Sequence, residues 1–303
     1  MPNFARRPIV TTGLVAMTLA TAAACGSSSS GGNQSTVSPT ASTSVNSVAA
    51  ALVPAAVKSK GSITVALDAT YAPNEFVASN GSTIEGMDAD LAKALGKALG
   101  LTVNLTNETF DGIIPGLQSG KYDVGMSSFT DTKEREKTVD FVTYFQAGTS
   151  FYEKVSGGPT VTGLSSLCGL KVAVEKGTTQ QDDATAQGKK CTKAGKANVT
   201  VDTYNDQNQA NLALSSGHDQ VGMADSPVAA YQVKQSSGQF KLVGTAYGVA
   251  PYGIALPKGN GMAAAVLAAL KGLMSDGTYT QILSTWGITS GAITDPVING
   301  AIS

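Results

Sequence analysis

The chain has 303 residues, of which 42% are apolar and 14% are charged, and 21 Lys and Arg face 22 Asp and Glu, for a formal net charge of -1. This composition excludes a disordered or collagen-like chain, and the length suits one or two domains with a sizeable buried core. Nucleic acid is not an expected partner, because neutralising phosphates requires an excess of clustered cations.

Residues 1–24 have the pattern of an export signal. Arg6 and Arg7 form a positive start, residues 9–24 are uncharged and mostly apolar, and three alanines directly precede Cys25. The apolar run is shorter than the roughly 20 residues that a spanning helix needs, and no later segment reaches that length without a charge or a break. We therefore expect a cleaved signal peptide, no transmembrane helix and a mildly acidic exported chain.

Cys25 is the predicted site of lipidation. The small residues before it and the Gly-Ser run after it resemble the lipobox of bacterial lipoproteins, in which the cysteine carries the lipid after cleavage. Ala22 stands where that pattern prefers Leu, so plain secretion is the alternative. The expected location is the outer face of the cell membrane, with the lipid as anchor.

Residues 25–60 are predicted to combine the lipidated cysteine with a flexible tether. Ser, Thr and Gly dominate from Gly26 to about residue 50, and no charged residue occurs between Arg7 and Lys58. Such a segment buries too little apolar surface to offset its chain entropy. We expect the folded part to begin near Gly61.

An internal repeat predicts two α/β lobes. LQSGKYDVGM at 117–126 and LSSGHDQVGM at 214–223 share six of ten residues at an offset of 97, and each pairs a helix end marked by Ser-Gly with a short β-rich run. Upstream, ITVALDAT at 63–70 matches LKVAVEKGT at 170–178. The apolar spacing after Asp88 predicts a crossover helix on a mostly parallel sheet.

The repeat also predicts where a ligand would bind. In open α/β sheets, ligands lie outside the carboxyl ends of the strands. Those positions are Asp68 and Ser127 with Ser128 in lobe 1, and Glu175 and Ala224 with Asp225 in lobe 2. If the lobes face each other, these stretches line one cleft. The alternative is that they are ordinary turn and cap residues.

The expected cleft can hold a zwitterion. The Asp131 and Glu134 spacing predicts a capping box for a new helix, whose first turn carries Arg135, a fork suited to a carboxylate. Asp225 could accept an ammonium group, or it could cap a helix that starts at Pro227. Tyr71 and Phe110 could form apolar walls or belong to the core, and the KEREK run could be a solvated helix face.

Two further cysteines and one histidine bear on disulfides and metals. In an oxidising compartment we expect Cys168 and Cys191 to form a disulfide, with two buried thiols as the alternative. No metal site is expected, because the single His218 and the absence of paired spacings leave zinc without enough ligands. No cofactor is implied.

Taken together, the motifs resemble those of the periplasmic-type solute-binding proteins for polar amino acids, which serve ABC importers. The resemblance covers residues 61–287 and rests on successive, correctly ordered segments: VALDATYAPNEF, FDGIIPGLQSGKYDVGMSSFTDTKEREKTVDF, VEKGTTQ, MADSP, YGIALPKG and GTYTQILSTWG.

The resemblance implies a type II periplasmic-binding-protein fold, with two α/β lobes on a two-segment hinge near 147–150 and 244–249. Lobe 1 would comprise 61–148, lobe 2 would comprise 149–246, and 247–303 would return to lobe 1 and end in a tail. The resemblance, matched residue by residue, implies that Arg135, Thr130 and Thr179 contact the ligand carboxylate and that Asp225 and Ser128 contact its ammonium group. It also implies that Tyr71 and Phe110 form the walls, with Gln180 and Ser127 beside these contacts.

Glu175 stands where family members often carry Leu or Lys. Together with Asp68 and Asp225 it would make a buried cluster of negative charge, which is unfavourable unless cations neutralise it. We therefore expect a basic amino acid (arginine, lysine or ornithine), ahead of glutamine or another neutral polar ligand, and ahead of an acidic one.

The expected protein is a monomer that shuts on its ligand, carries out no covalent chemistry and is read by a membrane permease. Two alternatives belong to other classes. Some relatives with this fold are cyclohexadienyl dehydratases, in which an extra acid such as Glu175 could act as a general acid. A sensory lipoprotein that binds the same solute without feeding a transporter is the other.

Overall fold

A computed structural model describes residues 44–302 of the chain; the predicted signal peptide, Cys25 and the first part of the tether lie outside the described residues. The helices are α1 Ser47–Leu52, α2 Ala55–Lys60, α3 Met87–Leu99, α4 Phe110–Gln118, α5 Lys133–Glu136, α6 Thr179–Lys193, α7 Gln207–Ser216, α8 Ser226–Gln235, α9 Met262–Ser275 and α10 Thr278–Thr285. Within this part of the chain, none of them combines the length and the apolar character that crossing a bilayer requires.

The strands form two sheets. Their bounds are β1 Ser62–Leu67, β2 Thr70–Tyr71, β3 Glu75–Val77, β4 Ile84–Glu85, β5 Thr102–Asn107, β6 Val124–Gly125, β7 Val139–Lys154, β8 Lys171–Glu175, β9 Thr200–Tyr204, β10 Val221–Asp225 and β11 Phe240–Pro257. The main sheet has the order β5-β1-β6-β11-β7-β10-β8-β9, and a small sheet has the order β2-β3-β4.

The main sheet consists of two parallel blocks. β1 pairs in parallel with β5 and β6, and β8 pairs in parallel with β9 and β10. The long strands β7 and β11 pair antiparallel and join the blocks, and their register shifts between Val243 and Ala250. We call the β5-β1-β6 block with its helices lobe 1, and the β10-β8-β9 block with its helices lobe 2. The α/β plan expected from the repeat is present in both, as α4 followed by β6 and α7 followed by β10.

Three hydrophobic clusters hold this arrangement together. One fills lobe 1 between the sheet and the helices α3 and α9, and another lies inside lobe 2 and includes Cys191. The third contains Phe110 and Phe129 from lobe 1 together with Leu214 and Val228 from lobe 2. Apolar surface from both lobes is therefore packed into one cluster, which favours their contact.

Ordered structure begins earlier than the sequence predicted. The Oδ1 of Asn46 accepts hydrogen bonds of 3.1 Å from two backbone N–H groups and so caps α1. Ala49 and Val53 are buried in the lobe 1 cluster. The prediction of a flexible tether as far as residue 60 is therefore wrong for residues 46–60. The prediction relied on the absence of charged residues in this segment. It gave too little weight to a favourable helix signal, an Asn cap followed by an alanine-rich run.

The short helix α5 is capped by a different residue from the one predicted. The Oγ1 of Thr132 accepts from the Arg135 backbone N–H at 3.2 Å, so Thr132 is the cap. Asp131, which its spacing to Glu134 favoured, instead accepts from the Gly300 backbone N–H at 2.8 Å. Burial raises the pKa of Asp131 to about 7. A contact with the distant C-terminal segment thus overrides a local pattern.

Cys168 and Cys191 form the expected disulfide. Cys168 follows a 3-10 helix at Leu164–Leu167, and Cys191 lies in α6. The bridge fixes α6 to the segment that leads into β8.

The double variant Cys168→Ser/Cys191→Ser should lower the free energy of unfolding by about 3 kcal/mol, because the bridge spans a sequence separation of 23 and restricts the unfolded chain. Chemical denaturation measures this loss, and wild type unfolded under reducing conditions is the matched comparison. A loss below about 1 kcal/mol would show that the bridge has little influence on stability.

Candidate ligand-binding site

A cavity lies between the two lobes, beside the carboxyl ends of the parallel strands. Its wall contains eight of the residues that the sequence predicted as ligand contacts: Tyr71, Phe110, Ser128, Thr130, Arg135, Thr179, Gln180 and Asp225. Ala224, which the repeat also placed at the cleft, lies in the wall as well, and four further wall residues were not predicted: Thr178, Gln207, Met223 and Val228. Asp68, Ser127 and Glu175 do not form part of this wall.

Arg135 provides the positive charge of the cavity. Its Nη1 donates to the Thr130 carbonyl at 2.8 Å, and its Nη2 donates to the Gly177 carbonyl at 3.0 Å. The guanidinium carbon lies 5.2 Å from the ring centre of Phe110 and 5.4 Å from that of Phe129, within cation–π range. A guanidinium has five N–H donors, and three of them have no partner in the described part of the chain and are available to a bound group. Arg135 is thus a held cation rather than part of a solvated helix face.

Asp225 provides the negative charge at the opposite lobe. Its Oδ1 accepts from Gln180 Nε2 at 2.7 Å, and its Oδ2 accepts from the Tyr252 hydroxyl at 2.6 Å. Asp225 occupies the position before α8, yet its side chain makes no capping hydrogen bond, so the cap interpretation is wrong. Burial raises its pKa to about 6, against the lowering effects of Tyr252, Gln180 and Arg135. At neutral pH this carboxyl is ionised and available to a cation.

Ser127 and Ser128 at the end of β6 have different surroundings. Ser128 borders the cavity with a left-handed backbone φ of 50°, and its N–H donates to Asp88 at 2.8 Å. Ser127 points into the protein, where its hydroxyl accepts from the Asp68 N–H at 2.8 Å and donates to Glu75 at 2.9 Å. Ser127 therefore supports the site from behind instead of facing the cavity.

Glu75 and Asp88 form a buried acid pair that the sequence did not reveal. Neither side chain is exposed. Burial raises the pKa of both, that of Asp88 to about 6 and that of Glu75, which also faces the Asp88 charge, well above its usual range. Asp88 accepts from the Tyr144 hydroxyl at 2.8 Å as well as from Ser128, which favours its ionised form. Within this pair Asp88 is thus the acid that ionises more readily.

Asp68 and Glu175 come from different lobes and meet beside Tyr71. Asp68 accepts from the Thr70 hydroxyl at 2.6 Å and from the Phe110 N–H at 3.1 Å. Glu175 is 1% exposed, and neither of its oxygens has a hydrogen-bond partner among the described residues. Burial and the nearby Asp68 raise the pKa of Glu175 to about 10, and burial also raises that of Asp68. Glu175 is therefore protonated at neutral pH.

The lobes touch each other around the cavity in this conformation. The Arg135 bond to Gly177 crosses from lobe 1 to lobe 2. Lys176 Nζ lies 2.7 Å from an Asp111 carboxylate oxygen, and the Gln207 N–H donates to the Thr70 hydroxyl at 3.2 Å. The structure is thus a closed form.

Sequence signals differ for the wall residues that were missed. Thr178 caps α6 through the Gln181 N–H, a pattern readable from the Gly-Thr-Thr segment. Gln207 bonds Tyr152 and Asn211 and reaches the cavity only because α7 begins there. Met223 and Val228 are apolar, and their residue types do not distinguish a cavity wall from a buried core.

Comparison with known proteins gives consistent matches. The profile of the bacterial extracellular solute-binding proteins, family 3, matches residues 63–289. The arginine-binding protein ArgT of Corynebacterium glutamicum is 33% identical over 250 residues, covering 82% of each chain. The glutamine-binding protein GlnH of Bacillus subtilis is 33% identical over 209 residues, covering 67% of this chain and 72% of its own.

Solved structures with the same fold include an ancestral arginine-binding protein bound to arginine. It is 39% identical, with a TM-score of 0.69, and the match covers 75% of this chain and 98% of that one. The same kind of ancestral protein has been solved with glutamine, at 38% identity and a TM-score of 0.69, with the same coverage of both chains. The expected type II periplasmic-binding-protein fold is confirmed.

Glu175→Gln should reduce the decrease in the free energy of unfolding that wild type shows as the pH rises. Native Glu175 keeps its proton up to about pH 10, whereas in the unfolded chain it ionises near pH ~4.3, so unfolding releases a proton between these values. The unfolding free energy of wild type should therefore fall, relative to the variant, by about 1.4 kcal/mol for each pH unit of increase.

Chemical denaturation of both proteins at several values between about pH 5 and 8 measures this difference. The exposed Glu85→Gln is the matched control and should follow wild type. Parallel profiles of wild type and Glu175→Gln would contradict the assignment of a protonated Glu175.

Proposed function

Because the chain belongs to the bacterial extracellular solute-binding proteins of family 3, we propose that it captures a free amino acid between its lobes and delivers it to the permease of an ABC importer. The observation that carries this proposal is that Arg135 and Asp225 border one cavity from opposite lobes. An amino acid is a zwitterion, and these two side chains match its two charges.

In the proposed complex, the ligand carboxylate binds the free N–H donors of Arg135. Thr130 and Thr179, which also border the cavity, add hydroxyl groups on the same side. The contacts of Arg135 with the Thr130 carbonyl and with Phe110 lie within lobe 1, so they hold the guanidinium in place before the lobes close. Such preorganisation reduces the entropic cost of binding.

The ligand ammonium binds Asp225 in this proposal, with Ser128 beside it. Gln180 and Tyr252 each donate to one carboxylate oxygen of Asp225 and so orient it. Each oxygen has further lone pairs for an ammonium donor. Ser127, Glu75 and Asp88 hold Ser128 from behind and are positioning residues.

We infer that the preferred ligand is a basic amino acid, with arginine first and lysine or ornithine next. Tyr71 borders the cavity and adjoins Glu175 and Asp68, so a long side chain between Tyr71 and Phe110 would bring its distal cation to two carboxyl groups. Both Glu175 oxygens are without a hydrogen-bond partner within residues 44–302, and a cation there would supply one. The arginine-binding relatives support this choice.

Glutamine is the second candidate ligand. The ancestral protein with glutamine bound is as similar to this chain as its arginine complex. A protonated Glu175 can donate a hydrogen bond to a side-chain amide as well as accept one, so the same place suits a neutral polar group. The two candidates differ in what happens to the Glu175 proton.

Lobe closure is the proposed mechanism of capture. The proposed hinge segments are 147–150 in β7 and 244–249 in β11, the latter within the stretch of shifted register. Since the ligand contacts residues of both lobes only when the lobes are shut, it shifts the population toward the closed form. The proposed lobe limits remain 61–148, 149–246 and 247–303.

The remaining parts of the proposal concern location and chemistry. We propose that the chain is exported, lipidated at Cys25 and active as a monomer that carries out no covalent reaction. A solved relative, 35% identical with a TM-score of 0.68 over 76% of this chain and 97% of that one, is an ancestral amino-acid-binding protein described as a precursor of cyclohexadienyl dehydratase. A cell-associated protein without lipid on Cys25, or conversion of a bound ligand, would contradict these points.

Arg135→Ala should weaken amino-acid binding by about 2 to 5 kcal/mol, because the ligand carboxylate loses its charged partner inside a closed site. Isothermal titration calorimetry measures the change, and Arg135→Lys should give an intermediate loss since it keeps the charge without the planar fork. Lys133→Ala, on the same short helix but exposed, is the control. Unaltered affinity in Arg135→Ala would remove the central contact of the proposal.

Arginine binding should release close to one proton at a pH slightly above 7, because the guanidinium favours ionised Glu175, whose pKa is about 10 in the free protein. Calorimetry in two buffers with different ionisation enthalpies measures the release. Glutamine should release none, and Glu175→Gln should abolish the release with arginine. Tight glutamate binding, with none for arginine or lysine, would refute a basic ligand.

A further inference from the structure

The internal repeat places different side chains at equivalent points of the two lobes. In lobe 1, Lys121 Nζ lies 2.7 Å from Glu108, which directly follows β5. The residues of lobe 2 that match Lys121 and its neighbour are His218 and Asp219, and they lie beside Asp202 on the equivalent strand β9. Lobe 1 thus pairs a lysine with one carboxylate, whereas lobe 2 brings an imidazole to two carboxylates.

The three lobe 2 side chains converge. One ligand atom from each of Asp202, His218 and Asp219 lies within 4.8 Å of the others, and His218 Nε2 is 3.7 Å from Asp202 Oδ2. Metal bonds of about 2.0–2.2 Å in a tetrahedral arrangement place ligand atoms roughly 3.4 Å apart. Small side-chain rotations would therefore suffice to bring all three onto one ion.

Asp219 supplies an independent sign that a partner is missing. It is 1% exposed, and its Oδ1 has no hydrogen-bond partner among the described residues. Its Oδ2 accepts from the Tyr204 hydroxyl at 2.6 Å, which fixes the carboxylate in one orientation. A buried carboxylate oxygen without a partner is costly, and a cation bound there removes the cost.

We propose that Asp202, His218 and Asp219 bind a divalent transition-metal ion of the Zn²⁺ class. An imidazole with two carboxylates suits zinc and its neighbours, and Tyr204 would act as the outer partner that orients a ligand. The His218 side chain is 59% exposed, so water can complete the coordination and the ion can enter. None of the three residues borders the amino-acid cavity.

The proposed metal site could not be recognised from the spacing of its residues along the chain. The sequence predicted no metal site because one histidine without a paired neighbour gives too few ligands. Asp202 lies on the outermost strand of the sheet and meets His218 only through the fold. The ion would tie β9 to the turn between α7 and β10.

Titration of the full chain with Co²⁺ and Zn²⁺ tests the proposal. His218 is the single histidine of the chain, so its imidazole NMR signals report on one site. We expect one ion per chain, perturbation of those signals, and displacement of Co²⁺ by Zn²⁺. His218→Ala and Asp219→Asn should each weaken binding at least about tenfold.

Two variants keep the test independent of folding. His218→Lys places in lobe 2 the residue type that lobe 1 has at the matching position, Lys121. This variant should not bind the metal, while its thermal unfolding midpoint without metal stays near that of wild type. Asp276→Asn, remote from the cluster, should bind metal as wild type does. Unchanged affinity in His218→Ala, or no saturable binding, would each overturn the proposal and leave an ordinary contact between His218 and Asp202.

Discussion

The site depends on keeping one positive and one negative side chain on opposite walls of a single cavity. Arg135 is held by the carbonyls of Thr130 and Gly177, and Asp225 is held by the side chains of Gln180 and Tyr252. Neutral partners reduce the cost of burying each charge without cancelling it. The cavity therefore keeps a dipole, and a zwitterion of matching length is the ligand that this dipole favours.

The negative charge around the cavity is smaller than the number of carboxyl groups, because not all of them are ionised. Burial raises the pKa of Glu75 well above its usual range and that of Glu175 to about 10, so Glu175 is neutral at neutral pH, whereas Asp225, with a pKa of about 6, is ionised. The protein thus tolerates many buried acids by leaving some of them protonated. In the proposed complex, a cation that binds near Glu175 favours loss of the Glu175 proton and then forms an ionic contact with the resulting carboxylate.

Local and repeated sequence patterns predicted the helix–strand units of both lobes, whereas the side-chain contacts that they did not predict depend on tertiary structure. The Ser-Gly signals and the matched β runs predicted α4 with β6 and α7 with β10, because these patterns act within a few residues. They could not show that Ser127 points away from the cavity, that Glu75 meets Asp88, or that Asp131 bonds Gly300, since each depends on distant parts of the chain. The helix α1 was missed for a different reason: composition was given more weight than its Asn46 cap.

Arg135 links capture to closure in the proposed mechanism. The exposed Lys176–Asp111 pair contributes at most about 1 kcal/mol, while moving a population from mostly open to mostly closed requires a difference of about 5.5 kcal/mol. The apolar cluster shared by the lobes adds to this pair, and in the proposed mechanism the ligand and the groups that it orients supply the rest. Arg135 donates across the lobes to Gly177, and three of its donors have no partner among the described residues. A carboxylate that fixes the guanidinium therefore also fixes the bond that joins the lobes.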